Sequence, residues 1–345
     1  MKILVLCGGL SNERDVSIST GTGAARALRE NGHDVVLVDL YLGWPGPVTD
    51  PDAVFRAGNA LGSAAIGETS PDLAAVRAMR ADPDCRIGPG VLALCRAADM
   101  VFLALHGEEG ENGKLQATLD LHGVRYTGSG YLGSAIAMNK GLTKTLLRAA
   151  GIAVPDGITL RRGETPYAVV GFPCVVKPCS GGSSVGTSIV GSESEYAAAL
   201  ELAFRYEEQV LVETYIHGRE LTVGVMDGAA MPVIEIIPKS GFYDYKNKYQ
   251  AGATEEICPA AIGAEATARV QRLAERVSEA LMIDAYCRCD FLWDTERDEM
   301  FCLEANTLPG MTPTSLIPQM AAEQGLGYGA LCEKILEVSG KKYAK

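Results

Sequence analysis

The sequence predicts an α/β protein whose carboxyl-terminal part changes to the α+β class. Residues 3–6 and 34–40 are short apolar runs of the kind buried in a parallel sheet, and residues 17–30 between them carry apolar side chains at helical spacing. Beyond residue 155 the predicted strands follow one another as hairpins, without the crossover helices that parallel strands require. A parallel unit followed by antiparallel hairpins indicates more than one lobe.

In the amino-terminal part, Gly8-Gly9 ends the first strand and Gly32 ends the helix. The glycine turn therefore lies at the carboxyl end of a parallel strand, where open α/β sheets bind ligands. Residues 42–90 have no clear period and predict loops with one or two short helices, the better candidate lying at 73–79. The regular pattern then resumes with a strand at 100–105, a turn at 106–113, a helix at 115–121 and a linker at 126–130.

In the later part, a glycine-rich loop is predicted to join strands 173–177 and 187–190. Asp227-Gly228 predicts the tight turn of a second hairpin, between strands 221–226 and 231–237. We expect a functional loop at 239–254, which is rich in Tyr and Lys and has no period. The remaining predicted elements are helices at 193–206 and 264–282, a strand at 210–214, and a last hairpin of strands 285–293 and 300–305.

Composition narrows the class of protein. The 345 residues, 47% hydrophobic and 21% charged, are typical of a folded chain of two or three packed units. A net charge of −12 argues against a broad electrostatic contact with nucleic acid or anionic lipid. Because no leader peptide and no apolar run of about 20 residues is apparent, we expect the ten cysteines to be reduced thiols of a cytoplasmic protein.

Two carboxylates and an amide are predicted to converge on the last hairpin. Side chains alternate along a strand, so Arg288 and Asp290 share one face of the first strand. Glu304 and Asn306 share one face of its partner. Such oxygen ligands suit Mg²⁺ held together with the phosphates of a nucleotide. The alternative is a surface or interfacial salt bridge of Arg288 with Asp290 or Glu304. This alternative is disfavoured because the charges interrupt apolar strands, where an unpaired charge is costly.

The segment 177–186 (KPCSGGSSVG) is the second candidate site. Glycines and small hydroxyl residues let backbone N–H groups approach a phosphate, and the preceding Lys177 can reach one of its oxygens. It is not a Walker A loop, which has a lysine after the final glycine and then a helix. A flexible structural hairpin is the alternative, but the setting between two strands favours a lid over phosphates.

Other candidate chemistries are less well supported. The run 243–249 (YDYKNKY) suits either a catalytic loop or a surface for a partner. The cysteines lack the C-x₂-C spacing of zinc sites, and the four histidines form no H-E-x-x-H pattern. No G-x-S-x-G nucleophile turn lies between a strand and a helix. Covalent hydrolase chemistry is therefore disfavoured.

Taken in order, these segments resemble the D-alanine–D-alanine ligases of the ATP-grasp superfamily. The resemblance covers nearly the whole chain apart from residues 42–90, and it is specific because nine motifs occur in the same order. They are GG at 8–9 with SNERDVS at 11–17, ALHG at 104–107 with GENG at 110–113, YTGSG at 126–130, MNK at 138–140, VKP at 176–178 with GSSVG at 182–186, FYDY at 242–245 with KY at 248–249, CPA at 258–260, RCD at 288–290, and EANTLPGMT at 304–312.

The resemblance implies a three-lobed ATP-grasp architecture. Residues 1–128 would form a Rossmann-like domain with a parallel sheet, residues 129–213 a central lid, and residues 214–345 a lobe with an antiparallel sheet, the metal site and an ω-loop at 239–254. It also implies that ATP phosphorylates one D-alanine and that a second D-alanine attacks the acyl phosphate, supplying D-alanyl-D-alanine for peptidoglycan. The cofactors would be ATP and two Mg²⁺ ions, with Mn²⁺ as a substitute, in a cytoplasmic homodimer without nucleic-acid or membrane partners.

The resemblance carries individual roles over to residues of this chain. The metal ions would be held by Asp290, Glu304 and Asn306. ATP would be bound by Lys140, Lys177, Ser184, Glu213 at the adenine, Glu220 at the ribose, and Lys248. The first D-alanine would be anchored by Glu13, linked to Ser183 and Tyr249, with His106 nearby. The oxyanion would be stabilised by Arg288 and the N–H of Gly310, and the second D-alanine would be received by Lys248, Ser315 and Leu316.

Departures from the family pattern leave alternatives open. Thr214 stands where many relatives carry Lys, and CSG at 179–181 replaces a more charged stretch of the lid. Ester-forming relatives typically have a His in the ω-loop, so Tyr249 favours the amide-forming branch. The same chemistry with D-serine or D-lactate as acceptor is one alternative. A nucleotide-binding relative without activity is another, disfavoured because the metal ligands and both lysines are present.

Overall fold

The computed structural model describes residues 1–61, 67, 71–164, 170–182, 184–239 and 254–344. Three of the expected site residues, Ser183, Lys248 and Tyr249, and nearly all of the expected ω-loop lie outside these ranges. The three-lobed α/β architecture is confirmed, with one parallel sheet followed by two antiparallel sheets. None of the described helices is both long and apolar enough to cross a membrane.

The amino-terminal lobe is built on a parallel sheet of the order β2-β1-β3. Its central strand β1 (Lys2–Cys7) is buried on both faces, which explains the continuous apolar run that predicted it. Strand β2 (Asp34–Asp39) and strand β3 (Met100–Leu103) flank it. Helix α1 (Arg14–Glu30) begins three residues before the predicted 17–30 and packs on β1 and β2. The predicted βαβ unit is confirmed.

This lobe also contains short helices in segments where the sequence predicted loops and turns. The predicted helix at 73–79 is present, and the turn expected at 106–113 contains a further short helix. Their bounds are α2 Pro51–Ala57, α3 Leu73–Ala78, α4 Val91–Ala97, α5 Glu108–Glu111 and α6 Lys114–Leu121.

The segment 126–130, which the sequence predicted to be a linker, is largely buried. Tyr126 and Thr127 are enclosed, and Tyr126 forms a parallel bridge with Val101 at the edge of β3. The end of the chain covers it: the Tyr126 backbone N–H donates to the hydroxyl of Tyr343 at 3.0 Å, and the Lys342 ammonium lies 4.2 Å from the Tyr126 ring centroid. The segment is therefore part of the packed structure.

The central part contains helices α7 (Tyr131–Met138) and α8 (Lys140–Ala149) and a four-stranded antiparallel sheet of the order β4-β7-β5-β6. Helix α9 (Glu193–Phe204) covers one face of that sheet, in a small core of alternate strand residues with Ala199 and Ala203. Strand β4 was not anticipated, whereas β5, β6 and β7 lie close to their predicted positions. The strands are β4 Gly157–Arg161, β5 Cys174–Pro178, β6 Ser188–Val190 and β7 Gln209–Thr214.

The carboxyl-terminal lobe is a five-stranded antiparallel sheet of the order β10-β9-β8-β11-β12. Asp227 and Gly228 both have positive φ between the paired residues Met226 and Ala229, the geometry of a tight hairpin turn. Both predicted hairpins are confirmed. The strands are β8 Arg219–Met226, β9 Ala229–Pro238, β10 Thr254–Ile257, β11 Tyr286–Asp294 and β12 Glu299–Asn306.

Helices on both faces of this sheet connect it to the rest of the molecule. Helix α10 (Ala264–Ala280) covers one face of the sheet and encloses a separate hydrophobic core. Helix α11 (Leu316–Glu323) packs against β9 on the other face of the sheet. Helix α12 (Tyr328–Gly340), followed by a 3₁₀ turn at Lys341–Tyr343, packs against α1. The hydrophobic core of the amino-terminal lobe therefore continues into the carboxyl-terminal one.

Replacing Gly21 with Ala is expected to destabilise the protein by about 1–3 kcal/mol through overpacking. A Cβ at Gly21 would lie 2.6 Å from the Cβ of Cys7, since α1 approaches β1 closely there. Urea unfolding of both proteins measures the difference. The control is Gly340→Ala in the last turn of α12, where a Cβ meets no atom within 4 Å. Equal effects of the two substitutions would contradict this packing argument.

Candidate functional site

A cleft between the lobes consists of two compartments. The lid-side compartment lies between the four-stranded and five-stranded sheets, and Lys177, Glu213 and Asp290 are among the residues that line it. The inner compartment lies against the amino-terminal lobe and is lined by residues that include Glu13 and His106. Both compartments are lined by Lys140, Gly181 and Glu304, so the two meet at those residues.

The hairpin of β11 and β12 places its charged side chains at this meeting point. Asp290 is paired directly with Glu304 across the two strands, and Arg288 is paired with Asn306. Residues two apart on a strand share a face, so all four side chains lie on the same face of the sheet. The pairing shifts by one residue after Asp290 and resumes with Phe291 opposite Cys302, so the irregularity lies next to the site. The convergence predicted from alternation is therefore confirmed by the register.

Asp290 accepts hydrogen bonds from three neighbouring side chains. Its Oδ1 accepts from Arg288 Nε at 2.8 Å, and its Oδ2 accepts from the Arg288 guanidinium at 2.8 Å and from Asn306 Nδ2 at 3.1 Å. On the other side, Thr222 of β8 donates its hydroxyl to Oδ1 at 2.7 Å. The salt bridge that the sequence left as an alternative is thus present, and it lies inside the cleft rather than on an outer surface.

Lys140 and Glu304 form an ion pair at the junction of the compartments. The ammonium of Lys140 lies 3.1 Å from Glu304 Oε2 and donates to the carbonyl of Gly181 at 2.7 Å. Burial by itself would lower the pKa of Lys140, but the carboxylate of Glu304 outweighs it and raises that pKa. Lys140 therefore stays charged while in contact with both β12 and the glycine-rich loop that follows β5 and contains Gly181, here called the lid loop.

The donor set on this hairpin fits a hard divalent cation. Asp290 and Glu304 supply carboxylate oxygens, and Asn306, whose amide nitrogen donates to Asp290, adds an amide oxygen. Oxygen ligands of this kind are typical of Mg²⁺ sites that also use phosphate oxygens and water. The chemistry of these three side chains thus agrees with the ligand set expected from the sequence.

Glu213 forms two ion pairs beside the lid-side compartment. It extends from β7 with a side chain that is only 3% exposed, and its Oε1 lies 2.6 Å from the Lys177 ammonium on β5. Its Oε2 lies 2.8 Å from the ammonium of Lys144 on α8. Burial by itself would raise the pKa of Glu213, but the two lysines outweigh it and hold that pKa below its ordinary value. Glu213 is therefore a carboxylate at neutral pH.

The lid loop comes close to the amino-terminal lobe. A Cβ at Gly182 would lie 2.8 Å from Glu13 Oε2, and a Cβ at Gly107 would lie 3.0 Å from the same oxygen. The Glu13 carboxylate thus sits between two backbones that approach it where glycine leaves room. Ser184 adopts a positive φ of 59° and lines the lid-side compartment, as does Glu220 of β8.

His106 connects the amino-terminal lobe to the loop that follows β12. Its Nδ1 lies 2.9 Å from the carbonyl oxygen of Leu308, which can only accept, so Nδ1 carries the proton. The other ring nitrogen, Nε2, then accepts from the hydroxyl of Thr20 at 2.9 Å. Burial lowers the pKa of His106, which favours this neutral form.

Glu111 fixes the same loop from a second side. Its Oε2 accepts from the Gly107 N–H at 2.6 Å and its Oε1 from the Leu308 N–H at 3.2 Å. Burial and the nearby charge of Glu13 raise the pKa of Glu111 to about 7. Glu111 binds the N–H of Leu308 and His106 binds its C=O. Leu308 lies in the sequence midway between Asn306, an expected metal ligand, and Gly310, whose N–H is expected to stabilise the oxyanion.

The start of α11 closes the inner compartment. Ser315 precedes the helix, and its hydroxyl accepts from the Thr312 N–H at 3.0 Å while lying 2.7 Å from the Thr312 hydroxyl. Gly310 packs so closely that a Cβ would lie 2.9 Å from Ser315 Oγ. With Leu316 these residues line the compartment, where the N–H groups of a helix start favour a carboxylate.

The structure brings the described part of the predicted site together and adds residues that the sequence analysis missed. Glu13, His106, Arg288, Gly310, Ser315 and Leu316 line the inner compartment, Lys177, Ser184, Glu213, Glu220 and Asp290 line the lid-side compartment, Lys140 and Glu304 line both, and Asn306 lines the inner one. The missed residues are Glu111, Lys144 and Thr222. Only Glu111 had a signal, because it lies in the quoted motif at 110–113.

Eight of the ten cysteines are buried, whereas Cys258 is half-buried and Cys85 is exposed. Cys287 and Cys289 flank Arg288 and are buried in the core beneath α10, on the face opposite Asp290. Burial raises the pKa of Cys302 to about 12.

Comparisons with known proteins agree over the whole chain. Residues 2–129 match the family model described as "D-ala D-ala ligase N-terminus" and residues 146–337 match "D-ala D-ala ligase C-terminus". The chain is similar to proteins named D-alanine–D-alanine ligase from Pediococcus pentosaceus (42% identical, covering 99% of each chain) and Lacticaseibacillus casei (41% identical, covering 100% of this chain and 97% of the relative).

A solved structure gives the same result in three dimensions. The D-alanine–D-alanine ligase from Bacillus anthracis in complex with ATP superposes with a TM-score of 0.75 and is 30% identical, covering 99% of this chain and 98% of that one.

Replacing Glu111 with Gln is expected to change how stability depends on pH. The pKa of this carboxyl is about 7 in the folded protein and about 4.3 in an unfolded chain. The folded state thus binds its proton more tightly, and the contribution of Glu111 to stability falls as the pH rises from about 5 to about 7. The melting temperature of the variant relative to the parent should rise across that range.

Differential scanning calorimetry at several pH values measures the difference in melting temperature. Glu111→Ala is the matched control, because it also removes the titrating group and should share the pH-dependent part of the effect while adding a constant cost. A difference that is flat with pH for both variants would contradict the assignment.

Proposed function

The chain belongs to the D-alanine–D-alanine ligase family, and we propose that it uses ATP to join two molecules of D-alanine. The observation that carries the proposal is the register of β11 and β12, which pairs Asp290 with Glu304 and Arg288 with Asn306 where the two compartments meet. A nucleotide in the lid-side compartment and an amino acid in the inner compartment would meet at these side chains.

The reaction needs two compartments because a carboxylate is a poor acyl donor. In the first step a carboxylate oxygen of one D-alanine attacks the γ-phosphorus of ATP, and the bond to the β-phosphate oxygen breaks, giving D-alanyl phosphate and ADP. In the second step the amine of another D-alanine attacks the acyl carbon, phosphate leaves, and a proton is released. Water would hydrolyse the acyl phosphate, so a lid that encloses it serves the chemistry.

The nucleotide would lie between the lid sheet and the carboxyl-terminal sheet. Apolar side chains such as Val175, Ile216 and Leu292 form walls suited to a purine ring. Lys140 and Lys177 would bind phosphate oxygens, with Glu213 at the adenine and Glu220 at the ribose. Expected contacts from Ser184, and from Lys248 outside the described residues, complete this binding site by resemblance.

Asp290, Glu304 and Asn306 would hold two Mg²⁺ ions, or Mn²⁺ in their place. A divalent ion bound there would offset the charge on the transferring phosphoryl group. Arg288, held by Asp290, would then face the oxyanion of the tetrahedral intermediate together with the N–H of Gly310.

Two sets of residues would bind the two D-alanine substrates. The Glu13 carboxylate would bind the ammonium of the first D-alanine, with His106 beside it and Ser183 and Tyr249 linked to Glu13 by resemblance. Lys248, Ser315 and Leu316 would receive the second D-alanine, the first two through its carboxylate. By the same resemblance we propose a cytoplasmic homodimer that supplies D-alanyl-D-alanine for peptidoglycan.

Phosphate release is expected when the protein, ATP and Mg²⁺ are mixed with D-alanine, together with a product of the mass of D-alanyl-D-alanine. Parallel reactions contain L-alanine, or D-alanine with D-lactate or D-serine, and products are identified by mass. A preferred mixed product would move the assignment to another acceptor. ATP binding without turnover on any of these substrates would contradict the ligase function.

Replacing Glu304 with Gln is expected to reduce turnover by about a hundredfold or more, because a neutral amide is a weak ligand for Mg²⁺. The fold should persist, since Gln keeps an oxygen that accepts from Lys140. The matched control is Glu299→Gln on the same strand, where the side chain is exposed. Turnover is measured by phosphate release over a range of Mg²⁺ concentrations, and near-normal turnover of the Glu304 variant would contradict the metal assignment.

A further inference from the structure

Lys144 is a buried cation that neither the sequence analysis nor the proposed reaction uses. Its side chain on α8 is 1% exposed, and its ammonium lies 2.8 Å from Glu213 Oε2. Burial lowers the pKa of Lys144, and the carboxylate of Glu213 opposes that shift. A buried ammonium is costly unless a counter-charge of this kind offsets the loss of hydration. Lys144 is absent from the lining of both compartments, whereas its ion-pair partner Glu213 lines the lid-side one.

Glu213 lies between two lysines that differ in their access to the cleft. Val175 is paired with Glu213 across β5 and β7, which makes Lys177 a diagonal neighbour on the same face. That face is opposite the core under α9, to which Val176 and Val212 belong. Lys177 therefore meets Glu213 at the wall of the lid-side compartment, whereas Lys144 meets it from behind.

Each carboxylate oxygen of Glu213 faces a different lysine. Oε2 is fully enclosed beside Lys144, and Oε1 lies 2.6 Å from Lys177. Two ammoniums share one carboxylate, so the cluster has a net charge of +1. Because the charge behind the wall already balances Glu213, the excess positive charge is that of Lys177, on the side where a ligand binds.

We propose that Lys144 is a positioning residue for nucleotide binding: it neutralises Glu213 from behind the cleft wall, so that Lys177 keeps its positive charge for the nucleotide. The inference rests on the proposed function, which places ATP in the lid-side compartment. Lys144 also holds the carboxylate of Glu213 in one orientation, with Oε1 toward the cleft. Without Lys144, Lys177 becomes the sole counter-ion of Glu213 in this cluster, and the wall becomes neutral.

Replacing Lys144 with Met should therefore weaken ATP binding by about tenfold, since loss of one partly shielded charge interaction has that order of effect. The Kd for ATP is measured by isothermal titration calorimetry on the full-length protein, and the KM for ATP by phosphate release. The KM for ATP should rise in parallel with Kd, while kcat at saturating ATP and the KM for D-alanine stay near those of the parent. Lys334→Met is the matched control, because Lys334 is paired with Glu337 on the surface of α12.

A double-mutant cycle separates positioning from a purely structural role. Once Glu213 is Gln, Lys177 has no carboxylate to neutralise it, so adding Lys144→Met should leave the Kd for ATP unchanged. If Lys144→Met does not fold, Lys144→Gln, which keeps a polar side chain without the charge, takes its place in the cycle.

The outcomes distinguish this inference from the proposed function. A parent protein that does not bind ATP overturns both. A parent that binds ATP, with a folded Lys144 variant of unchanged Kd, overturns only the role of Lys144. An equal loss of affinity from Lys144→Met with and without Glu213 also overturns it, because the lysine would then act by another path. Weakened binding that appears only when Glu213 is present supports it.

Discussion

The cross-strand pairing of Asp290 with Glu304 is the constraint on which the rest of the site depends. One residue of slippage between β11 and β12 would turn every side chain of the slipped strand to the other face. Cys287 and Cys289 hold the register from the core side, since they are packed beneath α10. The hydroxyl of Thr222 on β8 holds Asp290 from a third strand. The apolar face of the sheet thus fixes the position of the charged face.

A second feature is that many charged side chains of the cleft lie in ion-paired groups. Arg288 offsets Asp290, Lys140 offsets Glu304, and two lysines offset Glu213. Buried charges are tolerated in this way without a ligand, and the same groups can exchange partners when a triphosphate and its cation bind. The ion pairs of the cleft are therefore compatible with a binding role, because a partner that stabilises a charge in the fold also holds it ready for a ligand.

Much of the fold follows from local patterns in the sequence. The apolar runs at 3–6 and 34–40 predicted β1 and β2, and Asp227-Gly228 predicted its hairpin, because these signals depend on neighbouring residues. Strand β4 was missed since its residues are half exposed at a sheet edge, where alternation is weak. The burial of 126–130 was missed because it depends on Tyr343, more than 200 residues away.

The site shows the same division between local and long-range information. Alternation placed Arg288 with Asp290 and Glu304 with Asn306, but only the pairing of the strands shows which residues face one another. No pattern in the sequence singles out Lys144, because its proposed role depends on Glu213, 69 positions later in the sequence. Roles that were assigned by resemblance to Ser183, Lys248 and Tyr249 stay predictions.

The most direct test of the central claim is to follow oxygen from the substrate carboxylate. D-alanine labelled with ¹⁸O in both carboxylate positions is incubated with ATP, Mg²⁺ and the protein, and the inorganic phosphate is analysed by mass. Because a carboxylate oxygen forms the bond to the γ-phosphorus and leaves with phosphate, the account predicts one ¹⁸O atom in each phosphate released. Phosphate without ¹⁸O, formed together with the dipeptide, would contradict an acyl phosphate at the junction of the two compartments.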